Sequence, residues 1–549
     1  MRMAQIKNLR DFLAEARRRG RLHEFTESIN KETELMPLYR VQTRGLPEEE
    51  RSVLHFKDVR GSDGRRSGMQ VAAGVYGASR EFLTWGIGCE SVQEGFERWH
   101  KGLMEPLEPV MLSSAPVHEE VHTGSELSEL GLDEIPAPVE EPGFSCVVRT
   151  GTPVITRDPQ TGMRNMGAYN GFFRARDRIV SGCAVFHDAM AHHWPKARER
   201  KEPLPVAIVV GPAPVLMALA AAPIPYGTSD EIKIAGGIMG TPVEMVPCKT
   251  VPLEVPAYAE IVIEGLMSTE TTEPLTAFGE YPGYMSTEET YLPTIQVTAI
   301  THRRNAIFTP VTVGFYPSDS NTLLGFVHES MLYHHLRYGA GFPIVDIHFP
   351  DSSAAREFCL IRLRRQRGVD PWGVLHAAAG HMGGAKFLVV VDEDIDVRDH
   401  DAILWALSFR FRPEADMEMV YGRSPALDPS SAPPGVGQGE MVYGYSVSGH
   451  QNGRLLLNAV RKWAYPPVGL PAKEHMEKAL KLWSRHDDLP KPKLREPWYG
   501  YSLGNWREED AENARLIAEG KYLELGEKMA ARQRPVTTGL VRQDIVVGR

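Results

Sequence analysis

The cysteines are the first residues of this 549-residue chain to weigh for chemistry and the first to set aside. Cys89, Cys146, Cys183, Cys248 and Cys359 stand singly, with no C-x-x-C pair to hold zinc or form a dithiol, and a reducing compartment suits them. Gly444-Tyr445-Ser446-Val447-Ser448-Gly449 lacks the G-x-S-x-G spacing of a nucleophile elbow. Gly435-Val436-Gly437-Gln438-Gly439 follows two prolines where a dinucleotide fingerprint would follow a strand, so it reads as a loop and not as a phosphate cradle. No P-loop or EF-hand pattern occurs. His192 and His193 adjoin on a polar segment and read as helix surface. Taken one at a time, Asn165 reads as a turn-closing amide, His187 as a hydrogen-bonded core histidine and Glu231 as a solvated carboxylate.

The elements that must position any site follow from composition and periodicity. Hydrophobic residues at 42% and charged residues at 24% describe an ordinary globular protein, and the length predicts two or three domains. A formal charge of -10 argues against nonspecific nucleic-acid binding, since phosphate neutralisation needs clustered Lys and Arg; Arg17-Arg18-Arg19 reads as a solvated helix face. Leu9, Phe12, Leu13 and Ala16 recur at helical spacing behind Asn8 as a cap, without the apolar core of a signal peptide. No run approaches the roughly 18 apolar residues of a membrane span, so no membrane segment and a cytoplasmic location are expected.

Ile135-Pro136-Ala137-Pro138-Val139-Glu140-Glu141-Pro142-Gly143 reads as an extended linker at a subdomain boundary. Pro153 to Thr156, a turn at Asp158-Pro159-Gln160-Thr161-Gly162 and the run from Met166 predict a hairpin. His192 to Lys201 predicts a polar helix, Leu204 to Gly211 a buried strand and Val215 to Ala222 a helix. Further strands are predicted at Thr294 to Thr301, Ala306 to Val313 and Pro343 to Phe349. A later unit, from about Phe342, has a central strand at Lys386 to Asp392 and a helix at Asp399 to Phe409. The polar tail after Pro490 has a helix at Glu508 to Glu519. The alternation of strands and helices predicts an α/β (α+β) fold.

Several blocks together resemble the UbiD family of prenylated-FMN-dependent decarboxylases and carboxylases. They are Thr152 to Tyr169, Glu202-Pro203-Leu204-Pro205-Val206-Ala207, Ala222-Pro223-Ile224-Pro225, Phe278-Gly279-Glu280-Tyr281-Pro282-Gly283-Tyr284 and Val391 to Asp396, in family order. The resemblance reaches to about residue 470. It implies an N-terminal α/β region over 1–135, a prenylated-FMN-binding split barrel over 136–335, a C-terminal α/β oligomerisation domain over 336–490 and a helical tail over 491–549.

By the same resemblance Asn165, His187 and Glu231 hold a divalent ion (manganese, magnesium or iron) that clamps the cofactor phosphate. Oxygen donors with one imidazole suit such a cation bridged to phosphate. Gly167, Ala168, Tyr169, Asn170 and Pro223 are implied to line the flavin, and backbone groups around Leu219 to Ala222, with Glu231, to take K+. A flavin prenyltransferase is implied as the source of cofactor, and a homo-oligomer, a hexamer in one form, as the assembly.

The sequence also departs from the pattern. Most relatives carry an Arg five residues after the metal-binding Asn and a second Glu five residues before the one matched by Glu280; here those positions are Asn170 and Leu275, with Glu273 close by. Asn supplies neutral groups where Arg supplies a permanent planar charge. Loss of that cation is expected to raise Glu280 toward neutrality and favour it as proton donor, with Asn170 orienting the substrate. A substrate bringing its own activation fits, so the reaction expected is phthaloyl-CoA to benzoyl-CoA and carbon dioxide. The alternatives are a hydroxybenzoate-type decarboxylase or carboxylase, and a noncatalytic scaffold paralogue.

Overall fold

A computed structural model describes residues 6–181, 192–227, 230–286, 291–381, 385–422, 428–430 and 452–534. His187, Cys183, Ser446 and the Gly435 to Gly439 segment lie outside the described residues. The chain divides into two units, Met1–Glu393 with Phe411–Ala459, and Asp394–Arg410 with Val460–Arg549.

The first unit begins with the predicted helix, Leu9–Arg18, whose Asn8 Oδ1 accepts from the Asp11 amide at 3.0 Å. Leu9, Phe12, Leu13 and Ala16 are its buried stripe. The helix leads into a four-stranded sheet ordered Leu22–Asn30, Val53–Arg60, Gln70–Ala73, Ile307–Phe308.

A second sheet contains β1 (Glu120–Thr123), β2 (Arg149–Arg157), β3 (Arg164–Ala175), β4 (Arg178–Ser181), β5 (Leu204–Val210), β6 (Ile261–Pro274) and β7 (Tyr291–His302). Its order is β6-β5-β2-β3-β4-β7-β1, and β6 also pairs with β7. Six strands therefore close on themselves as a barrel, which leaves no free edge among them. The predicted hairpin is β2 and β3, paired in unbroken antiparallel register from Arg149 opposite Phe172 to Arg157 opposite Arg164. Its turn forms because Asp158 Oδ1 accepts from the Gln160 and Thr161 amides at 2.7 and 3.2 Å, and because Gly162 takes a φ of 73°. The apolar run of β5 is buried except at Pro205, as expected of a strand with neighbours on both sides.

The third main sheet is ordered β8 (Ile344–His348), β9 (Phe358–Leu363), β10 (Phe387–Asp392), β12 (Asn452–Ala459), β11 (Met417–Gly422). Its interior pairings are parallel, and Leu388 to Asp392 of the central strand are all buried, which explains an unbroken apolar run there.

The prediction of a strand over Ala306 to Val313 needs correction, because only Ile307–Phe308 pairs with a neighbour. Beyond it the chain stays irregular, and its carbonyls are met by guanidinium groups: Arg149 donates to the Val311 oxygen at 3.2 Å and Arg40 to that of Val313 at 2.6 Å. The β-branched sequence there favours extension, but side chains replace the strand partner.

The second unit contains helices His400–Phe409, Lys473–Trp483, Glu508–Ala518 and Tyr522–Ala530. Arg410 is held within it by two 2.7 Å bonds to Asp394, which also accepts from the Tyr501 hydroxyl at 2.9 Å. No helix among the described residues is long and apolar enough to cross a membrane.

Candidate active site

Most of the residues singled out from the sequence lie on β3. Side chains alternate along a strand, so Asn165, Gly167 and Tyr169 share one face and Ala168 and Asn170 the other. The register carries the division onto β2: Thr156 and Thr152 lie opposite Asn165 and Tyr169, whereas Pro153 and Gly151 lie opposite Ala168 and Asn170.

On the first face Asn165 is buried, and its side chain makes no hydrogen bond among the described residues. Glu231 opens the helix Glu231–Met239 and is also buried. Its Oε2 accepts from the Met166 amide at 3.1 Å, which brings it beside Asn165. The helix start is fixed by Asp230, which caps the Ile232 amide at 2.8 Å and pairs with Arg164 of β3 at 2.6 Å. Two of the three residues expected to hold a metal are thus brought together. Glu231 is not the solvated carboxylate of the single-residue reading, because strand and helix enclose it.

The surface reading of the two histidines holds for His192 and is overturned for His193. It is fully buried, with Nδ1 at 2.9 Å from Thr156 Oγ1, while His192 is exposed and stacks on Tyr226 with centroids 4.3 Å apart. Burial holds the His193 imidazole down at about 4, so it is neutral at physiological pH. Its Nε2, with the buried hydroxyls of Thr150 and Thr152, has no hydrogen-bond partner among the described residues. Buried polar atoms are normally paired, so the unpartnered Nε2 of His193, a residue bonded to the Thr156 that lies opposite Asn165, suits a polar ligand there. The donor types present, amide oxygen, carboxylate and neutral imidazole, fit a hard or borderline cation tethering a phosphate. No group of three or more His, Cys, Asp or Glu residues gathers among the described residues, and the expected third ligand, His187, lies outside them. Pro223 follows the helix Pro214–Ala220, in a turn where the Ala222 amide donates to the Leu219 carbonyl at 3.0 Å.

The other face carries charge. Arg149, at the start of β2, is 3% exposed; it pairs with Glu140, and its Nη1 donates to Asn170 Oδ1. Glu140 also accepts from the Val313 amide at 3.0 Å. Glu141 lies so close to Gly314 that a Cβ there would sit 3.1 Å from its Oε1. Glu280 occupies a turn in which its amide donates to the Tyr284 carbonyl at 2.9 Å and its carbonyl accepts from Gly283 at 2.9 Å. Gly283 adopts a φ of 94°, a conformation that favours glycine.

Glu280 remains partly accessible, yet its surroundings strip enough water to push its carboxyl up to about 7, against the opposing pull of Arg149 and, more weakly, of Arg356. Burial and the neighbouring Glu140 likewise raise Glu141. Arg356 sits over the Tyr281 ring, 4.8 Å from its centroid.

Three expectations change here. The site does not lack a cation where Asn170 replaces Arg: Arg149 supplies one from the adjacent strand, and Glu280 is raised by burial in spite of it. Glu273 does not stand in for Leu275, because it pairs with Arg178 at 2.8 Å, while Leu275 packs on the cluster of Phe172 and Phe278. The segment 135–143 is no plain extended linker: it turns from Glu141, whose carbonyl accepts from Phe144 and Ser145, and Ile135, Ala137 and Glu140 are buried, with Glu140 paired to Arg149. Arg149, Glu140 and Glu141 were missed. The available signal was an Arg opening a strand whose following residues up to Arg157 are Gly, Thr or apolar, shortly after an acidic pair.

The barrel agrees with the comparisons. Residues 109–316 match the 3-octaprenyl-4-hydroxybenzoate carboxy-lyase Rift-related domain and residues 321–445 the corresponding C-terminal domain. The chain belongs to the UbiD carboxy-lyase family. An uncharacterized protein of Aquifex aeolicus is 31% identical over 389 residues, 69% of this chain and 75% of the relative. An evolved dimeric form of HmfF from Pelotomaculum thermopropionicum, solved with prFMN, superposes with a TM-score of 0.72 at 23% identity, over 85% of this chain and 98% of that one. The apo 3,4-dihydroxybenzoic acid decarboxylase of Enterobacter cloacae gives a TM-score of 0.72 at 24% identity, over 90% and 98%. At such identities the likeness establishes the fold.

Proposed function

We propose that the chain releases carbon dioxide from an aromatic carboxylic acid with prenylated FMN as cofactor. The observation that carries this reading is Glu280: a partly accessible carboxyl pushed up to about 7, set in a tight turn beside buried charge. A group with that affinity holds a proton near neutral pH and can deliver it to carbon. When bound, prenylated FMN supplies the electron sink for the carbon that loses its carboxylate.

The protein's own residues do the rest. Asn165, Glu231 and His187 hold a divalent ion (manganese, magnesium or iron) against the cofactor phosphate, and Gly167 to Asn170 with Pro223 line the flavin. Carbonyls near Leu219 to Ala222 offer a place for K+. Glu280 gives its proton to the vacated carbon, and Asn170 orients the acid. The substrate we favour is phthaloyl-CoA, whose thioester withdraws electrons from the ring that loses carbon dioxide. A flavin prenyltransferase supplies the cofactor, and the working form is a homo-oligomer.

The test is an assay of carbon dioxide release from phthaloyl-CoA and from free hydroxybenzoates, using protein produced with the prenyltransferase. Turnover of the thioester, abolished in Glu280→Gln with cofactor retained, is expected. Turnover of hydroxybenzoates alone overturns the substrate, and full turnover by fully loaded Glu280→Gln overturns the proton donor.

A further inference from the structure

Arg149 is the structure's main addition to the residues found by sequence. Its guanidinium is buried, and all its observed partners are protein groups: the Glu140 carboxylate, Asn170 Oδ1 and the Val311 carbonyl. A cation so enclosed does not wait for substrate. It instead fixes the charge and orientation of its neighbours.

Two consequences follow. First, an Asn whose carbonyl oxygen accepts from a guanidinium turns its NH2 the other way, so Asn170 presents its N–H donors to the site. Such a side chain favours an anionic or carbonyl oxygen of substrate over a donor. Second, the charged and titratable groups acting on Glu280 are Arg149, Arg356 and Glu140, with Tyr281 beside it in the turn. Glu141 lies against neighbouring Gly279, and Arg40 acts on Glu141 in turn. Arg149 is the strongest charge on that list, and it works against burial.

Gly151 makes the arrangement possible. It lies opposite Asn170, and a Cβ there would stand 2.7 Å from Arg149 Nη1 and 3.5 Å from Asn170 Oδ1. The missing side chain is the room through which a guanidinium on β2 reaches an amide on β3.

We propose that Arg149 is a positioning residue for the proton donor: paired with Glu140, it supplies from β2 the positive charge that tunes Glu280, and it locks Asn170 as a donor toward the substrate carboxylate. This rests on the reading of Glu280 as the working acid, and it deepens that reading by assigning the group that controls it. Because the two side chains touch, the guanidinium is movable. With Arg149 shortened to Gln, an Arg at position 170 places the same charge in the same space from the other strand.

The test compares the parent holoenzyme with R149Q, R149K and the R149Q/N170R double variant. Glu280 is titrated by carboxyl-region infrared difference spectra, each referenced to the matching Glu280→Gln protein, and the alkaline limb of kcat/KM is recorded alongside. Removing a cation disfavours the carboxylate, so R149Q is expected to move the Glu280 midpoint up by about one pH unit or more. R149K, which keeps a charge without the planar fork, is expected to hold the midpoint near the parent while kcat falls. R149Q/N170R is expected to return both midpoint and limb toward the parent.

A Glu280 midpoint unmoved in folded R149Q overturns the proposal, as does a double variant no nearer the parent than R149Q. If R149Q does not fold, R149M takes its place as the charge-removing variant: a Glu280 midpoint moved up supports the proposal, and one left at the parent value overturns it. The infrared titration needs no substrate. Absence of turnover on every acid offered would therefore overturn the proposed function and leave this result separately readable.

Discussion

The two faces of β3 (Arg164–Ala175) handle polarity in opposite ways. On the Asn165 face two threonine hydroxyls and the Nε2 of a neutral imidazole stay unpaired among the described residues, and Asn165 itself adjoins the buried Glu231. On the Asn170 face Arg149 is already bonded to Glu140, Asn170 and Val311. Unpaired buried groups cost free energy until a ligand arrives, so the first face is built to be completed from outside. The second is balanced internally and can only modulate the protonation of what it touches. In the proposed function, anchoring and proton handling would thereby be separated by the thickness of one strand.

That separation can be broken by substitution. The largest expected effect lies with the proton donor: Glu280→Gln should lower carbon dioxide release by about 10^2 to 10^4-fold, the usual worth of a general acid, with flavin content unchanged in the absorbance spectrum. On the anchoring face the pattern reverses. Asn165→Ala or Glu231→Gln should reduce copurified flavin by about tenfold or more, the scale of damage to a metal's surroundings, while the infrared signal of Glu280 stays in place. Loss of flavin in Glu280→Gln, or its retention in both anchor variants, would erase the distinction between the faces.

A pH experiment sharpens it. The folded state raises Glu280 to about 7 from an ordinary value of 4.5, so between those limits the native protein binds the proton that the unfolded chain has released. Stability contributed by this group is therefore highest below about pH 4.5, falls as pH rises toward 7 and is level above. Glu280→Gln should flatten that segment of a Tm-against-pH curve relative to the parent, and an unchanged slope would show that Glu280 is not raised. In activity the same sign gives a rate that declines above about pH 7 as the donor loses its proton.

Smaller effects test the supporting geometry. Gly151→Ala crowds the Arg149 guanidinium and should destabilise by about 1 to 3 kcal/mol, the usual cost of overpacking, read as a lower denaturant midpoint. Glu273→Ala, which breaks a partly exposed pair with Arg178, should change carbon dioxide release less than twofold. A large loss there would return Glu273 to the site.

The elements that carry these groups were legible before the structure because local physics writes them locally. The hairpin of β2 and β3, its Asp158 to Gly162 turn, the Asn8 cap and the buried run of β5 each follow from alternation or a capping residue. The charge cluster was not legible, because its members come from segments whose own patterns say something else. Glu140 and Glu141 lie between prolines, which reads as a linker until the segment is seen to be buried. Arg149 opens a strand, where a charge is ordinarily an exposed edge. His193 illustrates the same limit: neighbouring histidines face different ways, and only the packing against Thr156 decides which is inside. Asn165 and Glu231 were singled out through recurring family blocks, since neither residue signals a ligand on its own.

The most direct test of the central claim is the absorbance and mass spectrum of the ligand released from protein made together with a flavin prenyltransferase, with metal content measured on the same sample. The account predicts prenylated FMN near one per chain, accompanied by a divalent metal, and both lost together in Asn165→Ala. Parent protein that carries neither flavin nor metal under those conditions would contradict it.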